Sequence, residues 1–255
     1  MIKVLSIAGS DPSSGAGIQV DLKTFQALGA YGMAVPAALA VQNSKGVTGV
    51  HPVPAGVLSQ QLAALIPDTK PDAIKTGMLL SRRNVDAVAS AVKRFRIRNL
   101  IVDPVLRSSS GRTLLRSGAI GQLKKKLFPL ALIVTPNLME AEALSGITIA
   151  READMDFAAG RILDMGPSYV LIKGGHKKGP AQDTLYGGKT VLSFSTPRRH
   201  GAFHGTGCVL SSAIAVFIAL GYSVEKAVEK AKYFVDSMLK TARPVGKSRT
   251  KYFQF

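Results

Sequence analysis

The sequence predicts an α/β protein with a largely parallel sheet covered by helices on both faces. Apolar runs of strand length recur along the 255 residues, helical segments separate them, and most runs end in Gly, Pro, Asn or Asp. Strands that are apolar on both faces are typical of parallel sheets between two helical layers. No linker-like segment divides the chain, so a single domain over residues 1–255 is expected.

The predicted elements follow in chain order. The first strand is KVLSIAG, and the first helix is GIQVDLKTFQALG with the apolar stripe Ile18, Leu22 and Phe25. Five further runs are predicted as strands: GMAVPAALAV, DAIKTGM, NLIVDPV, ALIVTPN and YVLIKGG. DTLYGGKTVLSF is predicted as a hairpin turning at Gly187 and Gly188. Two helices follow, one opening in FHGTGCVLSSAIAVFIALG and one over SVEKAVEKAKYFVDSMLKTA.

Composition narrows the functional classes. The 33 Lys and Arg against 16 Asp and Glu give a net charge of +17, which attracts polyanions and anionic substrates. The basic clusters are short and scattered without a nucleic-acid-binding motif, so no specific nucleic-acid partner is expected. No apolar stretch reaches the roughly 18 residues of a membrane span. One cysteine and no signal-peptide pattern favour a reducing cytoplasm.

Two common nucleotide-binding patterns are incomplete. DTLYGGKT resembles the end of a Walker loop, but Asp183 stands at the first glycine position and a strand follows Thr190. Neither GAGIQV nor GTGCVL has the third glycine of the dinucleotide fingerprint. A nucleotide would therefore be bound by other means. Ligands of such sheets bind beyond the carboxyl ends of the strands, so the residues after each apolar run are site candidates.

The turn before the second-last helix is a candidate anion hole. Gly205 and Gly207 allow a tight turn, and the helix that begins near Cys208 directs unpaired N–H groups into it. Thr206 adds a hydroxyl donor. A thiol at a helix N-terminus beside bound cations can have a lowered pKa, which would suit a base or nucleophile. The alternative is that Cys208 is a small buried apolar residue.

A set of strand ends resembles one family. The segments are GSDPSSGAGIQVDLKTF, VQN, KTGML, DPV with SGRTLL, TPNLMEAEALSG, KGGH and HGTGC. In this order they resemble the bacterial and archaeal hydroxymethylpyrimidine/phosphomethylpyrimidine kinases of thiamine biosynthesis, which are ribokinase-like. The resemblance implies a three-layer α/β/α sandwich that uses ATP and Mg²⁺ to phosphorylate 4-amino-5-hydroxymethyl-2-methylpyrimidine and then its monophosphate. It also implies a homodimer.

The resemblance assigns roles to individual residues. Cys208 would accept the proton of the attacking hydroxymethyl group, and the transferring phosphoryl charge would be held by Gly205, Thr206 and Gly207. Asn137 and Glu140 would face a hydrated Mg²⁺. The nucleotide would contact Lys173, Asp103, Gly174 and Gly175. The pyrimidine would contact Gly9, Asp21, Gln42, Met78 and Val105.

Simpler interpretations stay open for several of these residues. Glu140 is also suited to the first turn of a helix, and Lys173 to capping a strand. Asp103 precedes a proline, as structural turn residues do, and Asp21 lies off the apolar stripe of its helix, which favours exposure. For the whole protein, the alternatives are a pyridoxal kinase and a non-catalytic pyrimidine-binding sensor.

The chain departs from the family pattern in three places. Ser109 stands where a lysine is common, and Arg107 carries the nearest charge at a different position. Ala202 and Phe203 replace a polar Asn-Thr pair. The tail RPVGKSRTKYFQF replaces a glycine-rich segment. These departures concern the phosphate contacts near Ser109 and the cover over the substrate.

Overall fold

The computed structural model describes residues 1–108, 111–115, 118–174, 179–188 and 190–255. Its main sheet has nine strands: β1 (Lys3–Ser10), β2 (Tyr31–Asn43), β3 (Gly46–Pro52), β4 (Ala73–Thr76), β5 (Leu100–Val102), β6 (Ile133–Val134), β7 (Tyr169–Lys173), β8 (Ala181–Gly187) and β9 (Thr190–Thr196). Two short strands near the C-terminus form a separate pair, β10 (Arg243–Pro244) and β11 (Lys251–Tyr252).

The main sheet is parallel in its centre and antiparallel at both ends. The spatial order is β3-β2-β1-β4-β5-β6-β7-β8-β9, and every pairing from β2 through β7 is parallel. The predicted hairpin forms β8 and β9, which pair antiparallel with each other. Strand β3 was not among the predicted strands. It folds back antiparallel on β2 and forms an edge of the sheet.

Helices cover both faces of the sheet. They are α1 (Gly17–Ala27), α2 (Ala55–Thr69), α3 (Arg82–Arg94), α4 (Ala119–Gln122), α5 (Leu138–Ser145), α6 (Glu152–Leu163), α7 (Thr206–Ala219) and α8 (Val224–Thr241). A π-helical turn over Leu123–Leu127 and a 3₁₀ turn over Phe128–Leu130 continue α4. Within the described ranges, no helix is both long enough and apolar enough to cross a bilayer.

The strands supply two separate cores because successive side chains point to opposite faces of a sheet. In β5, Leu100 and Val102 join the core formed with α2, α3, α5 and α6, whereas Ile101 joins the core formed with α1, α7 and α8. The side chains of strand β7 are divided between the two cores in the same way. This arrangement confirms the predicted fold class, an α/β/α sandwich around a largely parallel sheet. It brings the carboxyl ends of β1, β4, β5, β6 and β7 to one edge.

Candidate active site

The candidate site lies at this edge, around the first turn of α7. Gly205 caps the helix with φ of 79°, in the left-handed region that favours glycine. A Cβ on Gly205 would also collide with the carbonyl oxygen of Gly15, in the loop before α1. The helix begins at Thr206, so its first N–H groups face the loop and the strand ends. The predicted turn geometry is therefore present.

An ion pair lies against the same turn. The Nζ of Lys173 is 2.9 Å from Oδ1 of Asp103, and both side chains are largely buried. A Cβ on Gly207 would lie 3.1 Å from that Nζ, so a larger residue would require the ammonium to shift by a few tenths of an ångström. Burial lowers the pKa of Lys173, but the carboxylates of Asp103 and Glu140 outweigh burial and raise it. Lys173 is therefore a permanent cation beside the N-terminus of α7.

Asp103 is held by neighbouring hydroxyl groups as well as by Lys173. Thr135 Oγ1 lies 3.3 Å from its Oδ1, and Ser211 Oγ lies 3.3 Å from its Oδ2. Ser211 stands on α7, one turn after Gly207. The ends of β5, β6 and β7 are thus joined to α7 through one carboxylate.

Asn137 and Glu140 form the capping box of α5. The Oδ1 of Asn137 accepts the N–H of Glu140 at 2.9 Å, and Oε2 of Glu140 accepts the N–H of Asn137 at 2.9 Å. Oε1 of Glu140 accepts the N–H of Leu106 at 3.3 Å. Burial raises the pKa of Glu140 to about 7, while the charge of Lys173 lowers it and that of Asp103 raises it. Glu140 therefore does act as a first-turn helix residue, as the simpler interpretation expected.

The oxygen donors at this point suit a hard cation. Glu140 and Asp103 are close enough for the charge of Asp103 to raise the pKa of Glu140, a repulsion that a bound cation would relieve. Mg²⁺ needs only one or two carboxylates because it keeps several waters. Among the described residues, no group of three or more His, Cys, Asp or Glu side chains is arranged to hold a metal by itself.

Cys208 occupies the third position of α7 and is half-buried. Burial raises the pKa of its thiol to about 11. The ammonium of Lys75 and a backbone hydrogen bond from Gly17 lower this pKa, but less than burial and the carboxylates of Asp21 and Asp103 raise it. The lowering of the thiol pKa beside bound cations stays a prediction. In the protein without ligands the pKa lies above its ordinary value, because burial has the largest effect on it.

Asp21 is fully buried, against the expectation that it is exposed or touches the pyrimidine. Its carboxylate accepts Lys75 Nζ at 2.8 and 2.9 Å, Ser6 Oγ at 2.6 Å and Ser212 Oγ at 2.7 Å. The side chain has no solvent-accessible surface left for a ligand. Asp21 instead joins α1 to β1, β4 and α7 beneath the candidate anion hole.

The other candidate pyrimidine contacts lie at the ends of β1, β2, β4 and β5. Gly9 is buried under Met78, whose Cε occupies the space that a Cβ on Gly9 would need. Met78 and Val105 are half-buried, so each keeps apolar surface for a flat ring. Gln42 is half-buried too, and its amide lies 2.7 Å from Nε2 of His204.

Of the two candidate nucleotide-binding glycines after β7, the structure describes only Gly174. The N–H of Gly174 donates to Gln182 O at 3.0 Å and to Asp183 Oδ1 at 3.1 Å. Its contacts in this structure are therefore with β8, not with open space for a nucleotide. Gly175 lies outside the described residues, as does Ser109 in the divergent segment after β5.

The site also includes ionisable residues that had no predicted role, among them Asp11, His204 and Lys75. Asp11 organises the loop before α1, because its carboxylate accepts the N–H groups of Ser13, Gly15 and Ala16. An Asp followed two residues later by Ser is an Asx-turn signal that could have identified it. The partners of Lys75 and His204 are too distant in sequence for any local signal to reveal them.

Known proteins resemble this chain over most of its length. The model of the phosphomethylpyrimidine kinase family matches residues 11–252. The hydroxymethylpyrimidine/phosphomethylpyrimidine kinase of Bacillus subtilis is 39% identical over 260 residues, 99% of this chain and 95% of that one. The bifunctional thiamine biosynthesis protein ThiED of Geobacter sulfurreducens is 43% identical over 246 residues, 96% of this chain. The chain spans only 50% of the length of ThiED.

Solved structures have the same fold. The phosphomethylpyrimidine kinase of Clostridium difficile 630 has a TM-score of 0.83 at 42% identity, covering 93% of this chain and 99% of that one. The pyridoxal kinase of Staphylococcus aureus in complex with ADP has a TM-score of 0.91 at 36% identity, covering 100% of this chain and 93% of that one. Since the family match extends over nearly the whole sequence, the chain belongs to the phosphomethylpyrimidine kinase family.

Proposed function

We propose that this protein transfers phosphoryl groups from ATP to 4-amino-5-hydroxymethyl-2-methylpyrimidine and then to its monophosphate, in thiamine diphosphate biosynthesis. The observation that carries the proposal is the meeting of Cys208, the Lys173–Asp103 ion pair and the free N–H groups of α7 at one helix end. Family membership, and the ADP bound to the pyridoxal kinase of S. aureus, support ATP as the donor.

The phosphate end of the proposed site uses fixed positive charge. Phosphoryl transfer depends mostly on positioning and on stabilising charge on the transferring group. The ammonium of Lys173 and the first N–H groups of α7, around Thr206 and Gly207, supply that stabilisation. Asn137, Glu140 and Asp103 would hold a hydrated Mg²⁺, which when bound neutralises phosphate charge. Gly175 stays a candidate for approach to the nucleotide, whereas the N–H of Gly174 already donates to β8.

At the alcohol end of the proposed site, Cys208 is proposed to accept the proton of the attacking hydroxyl. With a thiol pKa of about 11, only about one thiol in ten thousand is ionised at pH 7. A loose transition state needs little early activation of the attacking hydroxyl. The small fraction of Cys208 that has already lost its thiol proton to solvent can therefore accept the hydroxyl proton late in the transfer, which returns the thiol form. Gly9, Gln42, Met78 and Val105 are proposed to surround the pyrimidine, and Asp21 to support the site from beneath.

The test is an ATP-consumption assay that offers the alcohol, its monophosphate and pyridoxal in turn. We expect turnover of the first two. Changing Cys208→Ala should lower kcat by at least about 100-fold with near-normal ATP binding, since removing a group that accepts a proton costs a rate factor of that order. Full activity of this variant would refute the assigned base. A wild-type protein that consumes no ATP with any alcohol would favour the sensor alternative.

Pyridoxal phosphorylation is the second candidate function. The observation that favours it is the high TM-score, 0.91, to the pyridoxal kinase of S. aureus. Both substrates carry a hydroxymethyl group on a nitrogen heterocycle. Competition between the two alcohols in the same assay separates the candidates. The preferred substrate is the one that inhibits turnover of the other alcohol at the lower inhibitor concentration.

The proposal extends to the organisation of the protein. We propose one kinase domain over residues 1–255, a cytoplasmic location that keeps the thiol reduced, and a homodimer. Edge strand β3 and the exposed side chains of Leu39 and Val41 on β2, each 51% exposed, support an interface at this edge of the sheet. Sedimentation of the wild type and of Val41→Lys would test it, with a shift to monomer expected for the variant.

A further inference from the structure

One ring nitrogen of His204 has two partners. Its Nε2 lies 3.0 Å from Oδ2 of Asp11 and 2.7 Å from the terminal amide of Gln42. A ring nitrogen either carries a proton and donates, or carries a lone pair and accepts. The two contacts therefore determine where the proton is and which end of the Gln42 amide faces the ring.

The charge of Asp11 settles the first question. Burial raises the pKa of this carboxyl, but the hydrogen bonds that it accepts, including those from the N–H and Oγ of Ser13, outweigh burial and lower the pKa overall. Asp11 is thus ionised and can only accept. Its Oδ2 also accepts the N–H groups of Gly15 and Ala16, which fix its position. Nε2 of His204 must therefore carry a proton, in the neutral as in the protonated ring.

The proton on Nε2 then settles the orientation of the Gln42 amide. An NH₂ group facing an N–H would place donor against donor at 2.7 Å. A half-turn of the amide instead directs its oxygen to the shared proton, and an amide oxygen keeps a second lone pair for another donor. The NH₂ group of Gln42 then points away from His204.

Two further contacts hold the imidazole in place. The backbone N–H of His204 donates to Lys251 O at 3.0 Å, which attaches it to β11. The ring of Tyr252 packs edge-on against the imidazole, with 5.4 Å between centroids. The divergent C-terminal tail therefore contributes to the orientation of His204.

We propose that His204 is a positioning residue that determines specificity by holding the Gln42 amide with its oxygen toward the imidazole and its NH₂ toward the substrate. This inference depends on the proposed function for the contact between Gln42 and the pyrimidine. A fixed NH₂ donor beside a still-available oxygen matches a heterocycle with a ring-nitrogen acceptor next to an amino donor. It disfavours a ring in which C–H replaces that nitrogen, because the NH₂ group of Gln42 would then lose its hydrogen-bond acceptor.

The proton position can be measured without any substrate. Long-range ¹H–¹⁵N spectra of the imidazole rings distinguish a protonated Nε2 from an unprotonated one, and the His204→Gln variant identifies the His204 signals. We expect Nε2 of His204 to be protonated. A neutral ring with the proton on Nδ1 alone would overturn the proposal.

The effect on specificity is tested with two variants of His204 and one control. His204→Ala should raise KM for the pyrimidine alcohol about 10-fold, with KM for ATP and kcat within about 3-fold. His204→Gln should retain most of the affinity, because its amide nitrogen places a donor near the position of Nε2. His200→Asn is the control, since His200 is exposed, and it should match the wild type.

A substrate analogue completes the test. In the deaza analogue, a C–H group replaces the ring nitrogen beside the carbon that carries the amino group. Wild-type protein should prefer the parent alcohol about 10-fold, and His204→Ala should lose most of that preference. An unchanged preference in His204→Ala would contradict the proposal. If the wild type phosphorylates neither compound, the proposed function fails instead, and the ring spectra still decide the amide orientation.

Discussion

At the residue scale, the reactivity of the single thiol depends on its surroundings more than on its helix position. Cys208 lies at a helix N-terminus, where thiols commonly ionise more easily. Here burial and the charges of Asp21 and Asp103 raise the pKa of the thiol to about 11 despite Lys75. Removal of the thiol from water disfavours its charged form, and this is the largest of these effects.

The pH dependence of alkylation tests this account. Because Cys208 is the only cysteine, uptake of iodoacetamide reports on it alone. The thiolate is the reactive form, so the rate should stay low from pH 7 to 9 and rise towards pH 11. The peptide Gly-Cys-Gly serves as the control, and its alkylation rate should be close to its maximum near pH 9. A rate that already levels off below pH 8 would contradict the raised pKa.

At the element scale, one buried ion pair joins four elements below the site. Asp21 of α1 binds Lys75 of β4, Ser6 of β1 and Ser212 of α7, and all four side chains are fully buried. Burial lowers the pKa of Lys75, but the charges of Asp21, Cys208 and Asp103 and the hydrogen bond to Asp21 together outweigh burial and raise this pKa overall. The pair thus fixes α7, with Cys208 one turn before Ser212, against the sheet.

Removing one partner of this pair should destabilise the fold strongly. Lys75→Met leaves the Asp21 carboxylate buried without its cation, so we expect a loss of about 3–5 kcal/mol in the free energy of unfolding. The double variant Lys75→Met with Asp21→Asn removes both charges and should recover much of the loss. Urea denaturation measures all three proteins. A single variant within about 1 kcal/mol of the wild type would show that the pair is not a structural support.

The start of α5 allows its capping role to be separated from its proposed metal role. Asn137→Ala should lose about 1 kcal/mol of stability because the N–H of Glu140 loses its acceptor. Asn137→Ser should restore the cap, since serine is an equally good N-cap residue. Thermal unfolding and the Mg²⁺ concentration for half-maximal activity are measured for both. If activity follows stability in both variants, Asn137 acts as a cap alone.

At the scale of the whole molecule, the net charge of +17 favours association with anionic ligands. A positive field accelerates encounter with ATP and weakens as salt shortens the Debye length. We expect kcat/KM for ATP to fall several-fold between about 50 and 500 mM KCl, while kcat changes little. A salt-independent kcat/KM would indicate that the charge is spread too evenly to steer the nucleotide.

The sequence by itself determined the sheet class, its central strands, the closing hairpin, the glycine turn before α7 and the family. These features depend on local patterns: apolar runs, turn residues and motifs at fixed spacing. Edge strand β3 escaped prediction because GVTGVHP has little apolar character and gains its hydrogen bonds only by pairing with β2.

Only the tertiary structure decided what surrounds the candidate side chains. Asp21 finds its partners 15, 54 and 191 residues away, and His204 finds Gln42 at 162 residues and Asp11 at 193 residues. Burial, hydrogen-bond partners and thiol pKa follow from these distant contacts. Local sequence encodes backbone preference and apolar pattern, whereas desolvation and pairing depend on which segments the folded sheet brings together.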